Sequence, residues 1–531
     1  MVSIVVVVSV APAFAAGDAY NPLSTPVGQG KILQYIVEDG SVERNSYVAL
    51  MPPAVTSASE VRAGKWRWCA TLQDEDCKPS NNPINMKATS ILGPCESAIQ
   101  ENCLESVAFG REGSLENATL IKVSDGLSFK ASPEVNFPGG SSISLWRAPN
   151  APSASGTTTY AVMPRLQLYF RNGKFFVGDL FTDIIPYRDV RGNFSSIKIN
   201  NRADATPETK YDFAPHAQTC VYEEDGVCGV AQDFAEGIRA RLKIRLTKEV
   251  GGWFRGRLKD QSIEVSNFSA SNNLITIEAS PVTVPRMAYV IDSSTMDDQQ
   301  KIWFQNMGRW TTNDGGAASG AQGGWPKDAF PFLAYYRTKV NDTSTNTNTF
   351  WNFSTTSWGS GSKCLQDTSK VLGIVSTNAM AYDGAAPSFE NGALNYHVSG
   401  LHYMPDGKSP VLGTYNLVLR SETARCLYNF TNAPVSATIS ISGENGTTIA
   451  TATTSERNGW IYLSAYGFTF SEKTIQVKLT QEVQNLLPTK TDKPTTVTPM
   501  KKVSITCQKN KVRKIITASN PKCPSGYKKV N

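Results

Sequence analysis

Histidine is nearly absent. Three residues, His216, His397 and His402, serve a chain of 531. Charge is sparse as well, at 18% of residues, beside 40% hydrophobic residues. That balance excludes a disordered chain or a coiled coil. Beyond the N-terminal segment there is no run of about 18 apolar residues, so no transmembrane segment is expected in the mature chain.

The signatures of common catalytic centres are missing too. No G-x-S-x-G nucleophile elbow occurs; around Ser360 and Ser362 the chain reads Gly-Ser-Gly-Ser-Lys. There is no H-E-x-x-H, no EF-hand loop and no phosphate-binding G-x-x-x-x-G-K. No C-x2-C accompanies the scarce histidines, so neither a metal site nor a cofactor is expected. His397 and His402 are separated by an odd number of residues. On a regular strand they fall on opposite faces and do not share a metal or a proton.

Paired carboxylates are the remaining catalytic signal. Asp179 and Asp183 flank Leu180-Phe181-Thr182 and share a strand face. They would stand about 13 Å apart along it, wide even for an inverting glycosidase pair. Strand-end acids are the plainer reading. Asp74-Glu75-Asp76 and Glu223-Glu224-Asp225 sit between cysteines, where either Ca²⁺ ligands or solvated hairpin tips fit. The chain therefore leans away from enzymatic function.

What is present is β-forming sequence rich in turns, with 40 Gly and 29 Pro. Leu166, Leu168 and Phe170 alternate, then Asn172-Gly173 marks a hairpin turn before Phe175-Phe176-Val177. Leu242, Ile244 and Leu246 alternate with Lys243, Arg245 and Thr247. Ser294 to Asp298 supplies a cap and acids for a helix through Ile302, Trp303 and Met307. Gly315 to Gly324 reads as a small-residue loop, and Asn341 to Thr349 as an irregular polar run.

The expected fold is mainly β and multidomain. It has β-sandwich or immunoglobulin-like domains, a short helical, Gly/Trp-rich central insertion and a small disulfide-bonded tail. The divisions are a signal peptide at 1–15, a disulfide-stapled β-domain at 16–131 and a β-sandwich at 132–291. An irregular α+β segment at 292–405 and an immunoglobulin-like domain at 406–483 follow. A Thr/Pro linker at 484–500 leads to a basic two-Cys tail at 501–531.

Export is indicated twice. Ile4–Val10 is an apolar run broken only by Ser9, and Ala13-Phe14-Ala15 follows as a cleavage pattern, although no Lys or Arg precedes the run. Ten cysteines are even in number, and three pairs share the spacing C-x7-C: Cys69/Cys77, Cys95/Cys103 and Cys220/Cys228. Cys364/Cys426 and Cys507/Cys523 complete the set. An oxidised, secreted protein accounts for this usage. A helix would hold residues eight apart about 12 Å from each other, so a bonded C-x7-C demands a fold-back.

The net charge of +6 is unevenly spread. Residues 501–531 carry Lys501, Lys502, Lys509, Lys511, Arg513, Lys514, Lys522, Lys528 and Lys529 and no acid, which leaves the body slightly acidic. A cationic end on an exported chain suits anionic cell-wall polymers or surface glycans, not nucleic acid. Trp310, Trp325 and Trp358 sit beside glycine or small polar residues. They form a candidate sugar-stacking platform, with core packing as the alternative.

Two sequence blocks resemble secreted actinobacterial cell-envelope proteins. One is Ala424-Arg425-Cys426-Leu427-Tyr428 followed by Asn432-Ala433-Pro434-Val435. The other is Ile505-Thr506-Cys507 with Pro521-Lys522-Cys523-Pro524-Ser525-Gly526-Tyr527-Lys528-Lys529. The resemblance implies a secreted or cell-surface protein on the outer side of a Gram-positive-type envelope and implies no reaction. The expected role is a non-enzymatic structural or adhesive envelope component. The alternative is a secreted glycan-binding protein or carbohydrate-active enzyme using the Trp-rich region at 292–360.

Overall fold

A computed structural model describes residues 17–24, 26–38, 44–50, 67–69, 71–73, 77, 86–194, 220–312, 314–356, 362–431, 435–443, 446–449, 451–470, 472–481, 503–510, 512–518 and 520–530. The fold is mainly β. Two compact units divide the chain, residues 1–482 and 483–531. The expected signal segment and the Thr/Pro linker lie outside the described residues.

The body is organised by one 16-stranded sheet. At its centre Thr159–Arg171 and Lys174–Arg191 form a long antiparallel hairpin. Asn172 and Gly173 both adopt positive φ, the backbone that a tight two-residue turn requires. Val177 and Asp179 flank a bulge at Gly178. One side of the hairpin continues through Met86–Ile91 and Tyr47–Leu50. The other continues through Asn346–Thr356, Gly252–Arg257, Val371–Thr377, Leu412–Arg420 and Trp460–Thr469.

The alternation seen in sequence reports this packing. Leu166, Leu168 and Phe170 are buried on one face of the large sheet. They share a core with Leu242, Ile244 and Leu246 of Arg239–Thr247, which lies in a separate five-stranded sheet. Phe175 joins that core, whereas its neighbour Phe176 is exposed. Successive residues of a strand face opposite sides.

A six-stranded sheet shares a second core with the C-terminal strands of the large sheet. It contains Ala393–Ser399, Lys473–Gln481 and Val435–Gly443. Tyr396, Ile475 and Val477 pack with Leu417 and Leu463 of the large sheet. Cys364 is bonded to Cys426, tying a 3-10 turn to the helix Ser421–Tyr428. The remaining allotted pairs, Cys69–Cys77, Cys95–Cys103, Cys220–Cys228 and Cys507–Cys523, are bonded as well.

The divisions read from sequence do not separate the sheets. The large sheet takes strands from either side of residues 131, 291 and 405. The region 406–483 is not a self-contained sandwich. Leu412–Arg420 and Trp460–Thr469 belong to the large sheet, and Val435–Gly443 and Lys473–Gln481 belong to the six-stranded one. Its core is completed by strands that precede residue 406.

The central insertion is more regular than its composition suggests. The helix α1, Asp298–Asn306, begins at Asp297 with a capping box to Gln300. The expected loop is instead the strand Ala317–Gln322, which pairs in parallel with Lys31–Val37. A Cβ at Gly320 would overlap the Tyr35 carbonyl oxygen, so the small residues serve close strand approach. The helix α2, Pro326–Lys339, buries Phe332, Leu333 and Tyr336 against Trp303 of α1. The last four residues of the polar run after Asn341, Asn346 to Thr349, enter the strand Asn346–Thr356. Among the described residues no helix is long and apolar enough to cross a membrane.

Candidate functional site

The tail is a three-stranded antiparallel sheet. Val503–Lys509 lies between Val512–Ala518 and Lys528–Val530. Lys509 faces Val512 across the hairpin. Asn510 takes positive φ, a backbone that asparagine tolerates better than most residues.

Register fixes which side chains share a face. Lys514 and Lys529 flank Cys507 on one side of the central strand. Arg513 and Lys528 flank Gln508 on the other. Neighbouring strands stand about 4.8 Å apart, so each cation pair spans about 10 Å of backbone across the sheet. Cys507 is fully buried, and its bond to Cys523 closes residues 520–527 over its own face. Tyr527 lies beneath the Lys514 ammonium at 5.4 Å.

The opposite face carries Arg513, Lys528 and an Ile515 that is 72% exposed. Arg513 Nε donates to Gln508 Oε1 at 3.0 Å, which orients the guanidinium along the sheet. Lys509, Arg513, Lys514, Lys522, Lys528 and Lys529 are all exposed. No ion pair among the described residues neutralises them. Lys501, Lys502 and Lys511 lie outside the described residues. The tail thus holds a field of uncompensated cations on a covalently closed scaffold.

Of the three tryptophans of the candidate platform, Trp310 and Trp325 lie among the described residues. Trp310 is half-buried on Tyr35, with ring centres 5.7 Å apart. Trp325 is 58% exposed at the start of α2. Trp358 lies outside the described residues. Trp303 and Trp351 of the same region are core residues.

The acids divide by partner. Asp183 accepts from Arg165 Nη2 at 2.9 Å and so serves a buried guanidinium. Burial holds the Asp179 carboxyl above the ordinary aspartate range, against a contact with Thr355 Oγ1 and nearby Arg255 and Lys87. Glu223 and Glu224 are buried, not solvated. Glu224 pairs with Lys122 and accepts from the Asp125 amide at 3.1 Å. Asp74-Glu75-Asp76 lies outside the described residues. No group of three or more metal-ligating side chains occurs among the described residues.

The two described histidines take separate acids. His397 Nδ1 lies 2.8 Å from Asp383 Oδ2, while His402 sits between Asp342 and Arg337. His216 lies outside the described residues. Sequence reasoning missed the buried charge network of Glu38, Arg257 and Arg286, whose members are far apart in the chain. No protein-family model matches this chain, and no curated protein matches it in sequence.

Proposed function

We propose that the protein is an exported, non-enzymatic component of a Gram-positive-type cell envelope. Its body is a structural or adhesive β-scaffold, and its tail associates with anionic wall polymers or surface glycans. The observation that carries this reading is the tail sheet, with six exposed and unneutralised described cations on a disulfide-closed frame. Electrostatic attraction to a polyanion needs charge density and does not need a pocket. Two faces bearing cations suit a flexible polymer that contacts the module from more than one side.

Export is supported by the signal-like run at Ile4–Val10 and by the five disulfides, which persist in oxidising compartments. The resemblance of the Arg425 block and the tail to actinobacterial envelope proteins points the same way. The glycan-binding or carbohydrate-active alternative rests on Trp325, whose exposed indole suits stacking on a sugar ring.

Fractionation of the producing cells tests the proposal. The full chain is expected in the envelope fraction and is expected to be released by high salt, because exposed charge pairs are screened. Recovery from the cytosol, or wall retention unchanged in high salt, would refute it.

A further inference from the structure

The register of the tail sheet sorts the face opposite Cys507 into rows. Residues directly across from one another on neighbouring strands share a face. Thr506 of the central strand faces Ile515 on one side and Val530 on the other. Two residues on, Gln508 lies between Arg513 and Lys528 in the same way. On the far side of Thr506, Ser504 faces Thr517, and their hydroxyls lie 2.6 Å apart. An apolar row therefore crosses the three strands beside a cationic row. Residues of one face repeat every second position, so the two rows stand about 7 Å apart.

Burial separates the two faces of the sheet. On the Cys507 face, Ile505 and Cys507 are buried and Ile516 is half-buried. There Gly526 lies against Lys509 and Tyr527 against Lys514, so the disulfide-closed loop covers that side. On the other face Ile515 is 72% exposed, and Ser504, Arg513, Thr517 and Lys528 are exposed with it. A lone exposed apolar side chain is ordinary. This one stands in register with Val530 and one row from two cations, in a segment whose residues 501–531 carry no acid.

We infer that this face docks on an anionic lipid surface. Arg513 and Lys528 meet the headgroup phosphates, and Ile515 and Val530 meet the edge of the acyl region. The inference rests on the tail being a cationic attachment module, as proposed above, and names a further partner for it. A hydrated polyanion satisfies the cations but offers little to Ile515. A lipid interface presents phosphate and hydrocarbon side by side, which matches adjacent cationic and apolar rows. A three-stranded sheet also offers a surface and not a cavity, as a plane of headgroups requires. A second copy of the same face is disfavoured, because two cationic faces without acids repel. Lys514 and Lys529 lie on the opposite face and leave it for the polymer.

Sedimentation of the full-length oxidised protein with vesicles tests the assignment. Binding is expected to mixed phosphatidylglycerol and phosphatidylcholine vesicles at low salt, and not to phosphatidylcholine alone. Ile515→Ser is expected to weaken binding to the anionic vesicles by about five- to tenfold, and to leave binding to purified anionic wall polymer unchanged. Arg513→Gln with Lys528→Gln is expected to weaken vesicle binding by at least about tenfold. Ile515→Trp places an indole where membrane interfaces favour one, and is expected to bind the anionic vesicles more tightly than the parent, a gain that misfolding cannot produce. Equal binding to phosphatidylcholine alone, undiminished vesicle binding by Ile515→Ser, or weaker vesicle binding by Ile515→Trp would overturn the assignment. Equal losses by Ile515→Ser on vesicle and polymer would overturn it too, since Ile515 would then belong to the polymer contact. Polymer binding without vesicle binding would overturn the lipid assignment alone, whereas absence of both would overturn the reading of the tail on which it rests.

Discussion

Glu38 holds Arg257 through its Nε at 2.5 Å. Its second carboxylate oxygen lies 3.5 Å from Arg286 Nη1. Arg257 is almost fully buried and also donates to the carbonyls of Thr377 and Ala379, with its guanidinium 4.4 Å from the Tyr382 ring centre. The single acid thus joins the end of the strand Lys31–Val37 to the large sheet. Glu38→Gln is expected to lower stability, by up to about 3–5 kcal/mol, because two buried guanidiniums lose a shared counter-charge. A urea-unfolding midpoint close to that of the parent protein would contradict this account.

The Cys364–Cys426 bond closes the longest of the five loops, with a sequence separation of 62. Chain entropy gives such a crosslink a stabilisation of about 4 kcal/mol. Cys364→Ser with Cys426→Ser is expected to lower the unfolding midpoint more than loss of Cys220–Cys228, for which the same relation gives about 2.5 kcal/mol. With no free cysteine among the ten, alkylation of the native unreduced chain is expected to label none. Stoichiometric labelling would refute the pairing.

His397 provides a pH readout. The hydrogen bond that its ring donates to the Asp383 carboxylate raises the pKa of His397 above the ordinary value of 6.5. The folded state therefore binds this proton more tightly than the unfolded chain does. The contribution is complete below the unfolded value and disappears as pH rises through the higher folded one. The ring is about half exposed, so the effect on stability is small. Titration of the imidazole by NMR is expected to show the raised midpoint, and Asp383→Asn is expected to bring it down. An unchanged midpoint in that variant would remove Asp383 as the cause.

Local pattern was legible where one strand face is buried. Leu242, Ile244 and Leu246 announced their core positions because side-chain direction repeats every two residues. A helix start within Ser294 to Asp298 was readable because helix starts are decided within a few residues, whereas the choice of Asp297 as the cap came from the structure. The parallel pairing of Lys31–Val37 with Ala317–Gln322 was not, since Ala, Ser and Gly carry no strand signature and the partners are distant in sequence. The same distance hid Glu38–Arg257 and made the sandwich after residue 406 look self-contained. Charge asymmetry in the tail was visible as composition, whereas its division between two faces required the register. Tryptophan spacing could not distinguish the buried Trp303 from the exposed Trp325, because flanking glycines do not determine packing.

The tail's affinity for a polyanion is the central claim. The most direct test measures binding of the full chain to purified anionic wall polymer across a salt series. Replacing Arg513, Lys514, Lys528 and Lys529 by Gln removes charge from both faces while sparing Cys507 and Cys523. At about 1 kcal/mol per surface cation, the variant is expected to lose at least about tenfold in affinity at low salt. The parent is expected to weaken steadily as salt rises, and the variant much less so. Binding that is insensitive to salt and equal in parent and variant would contradict the account.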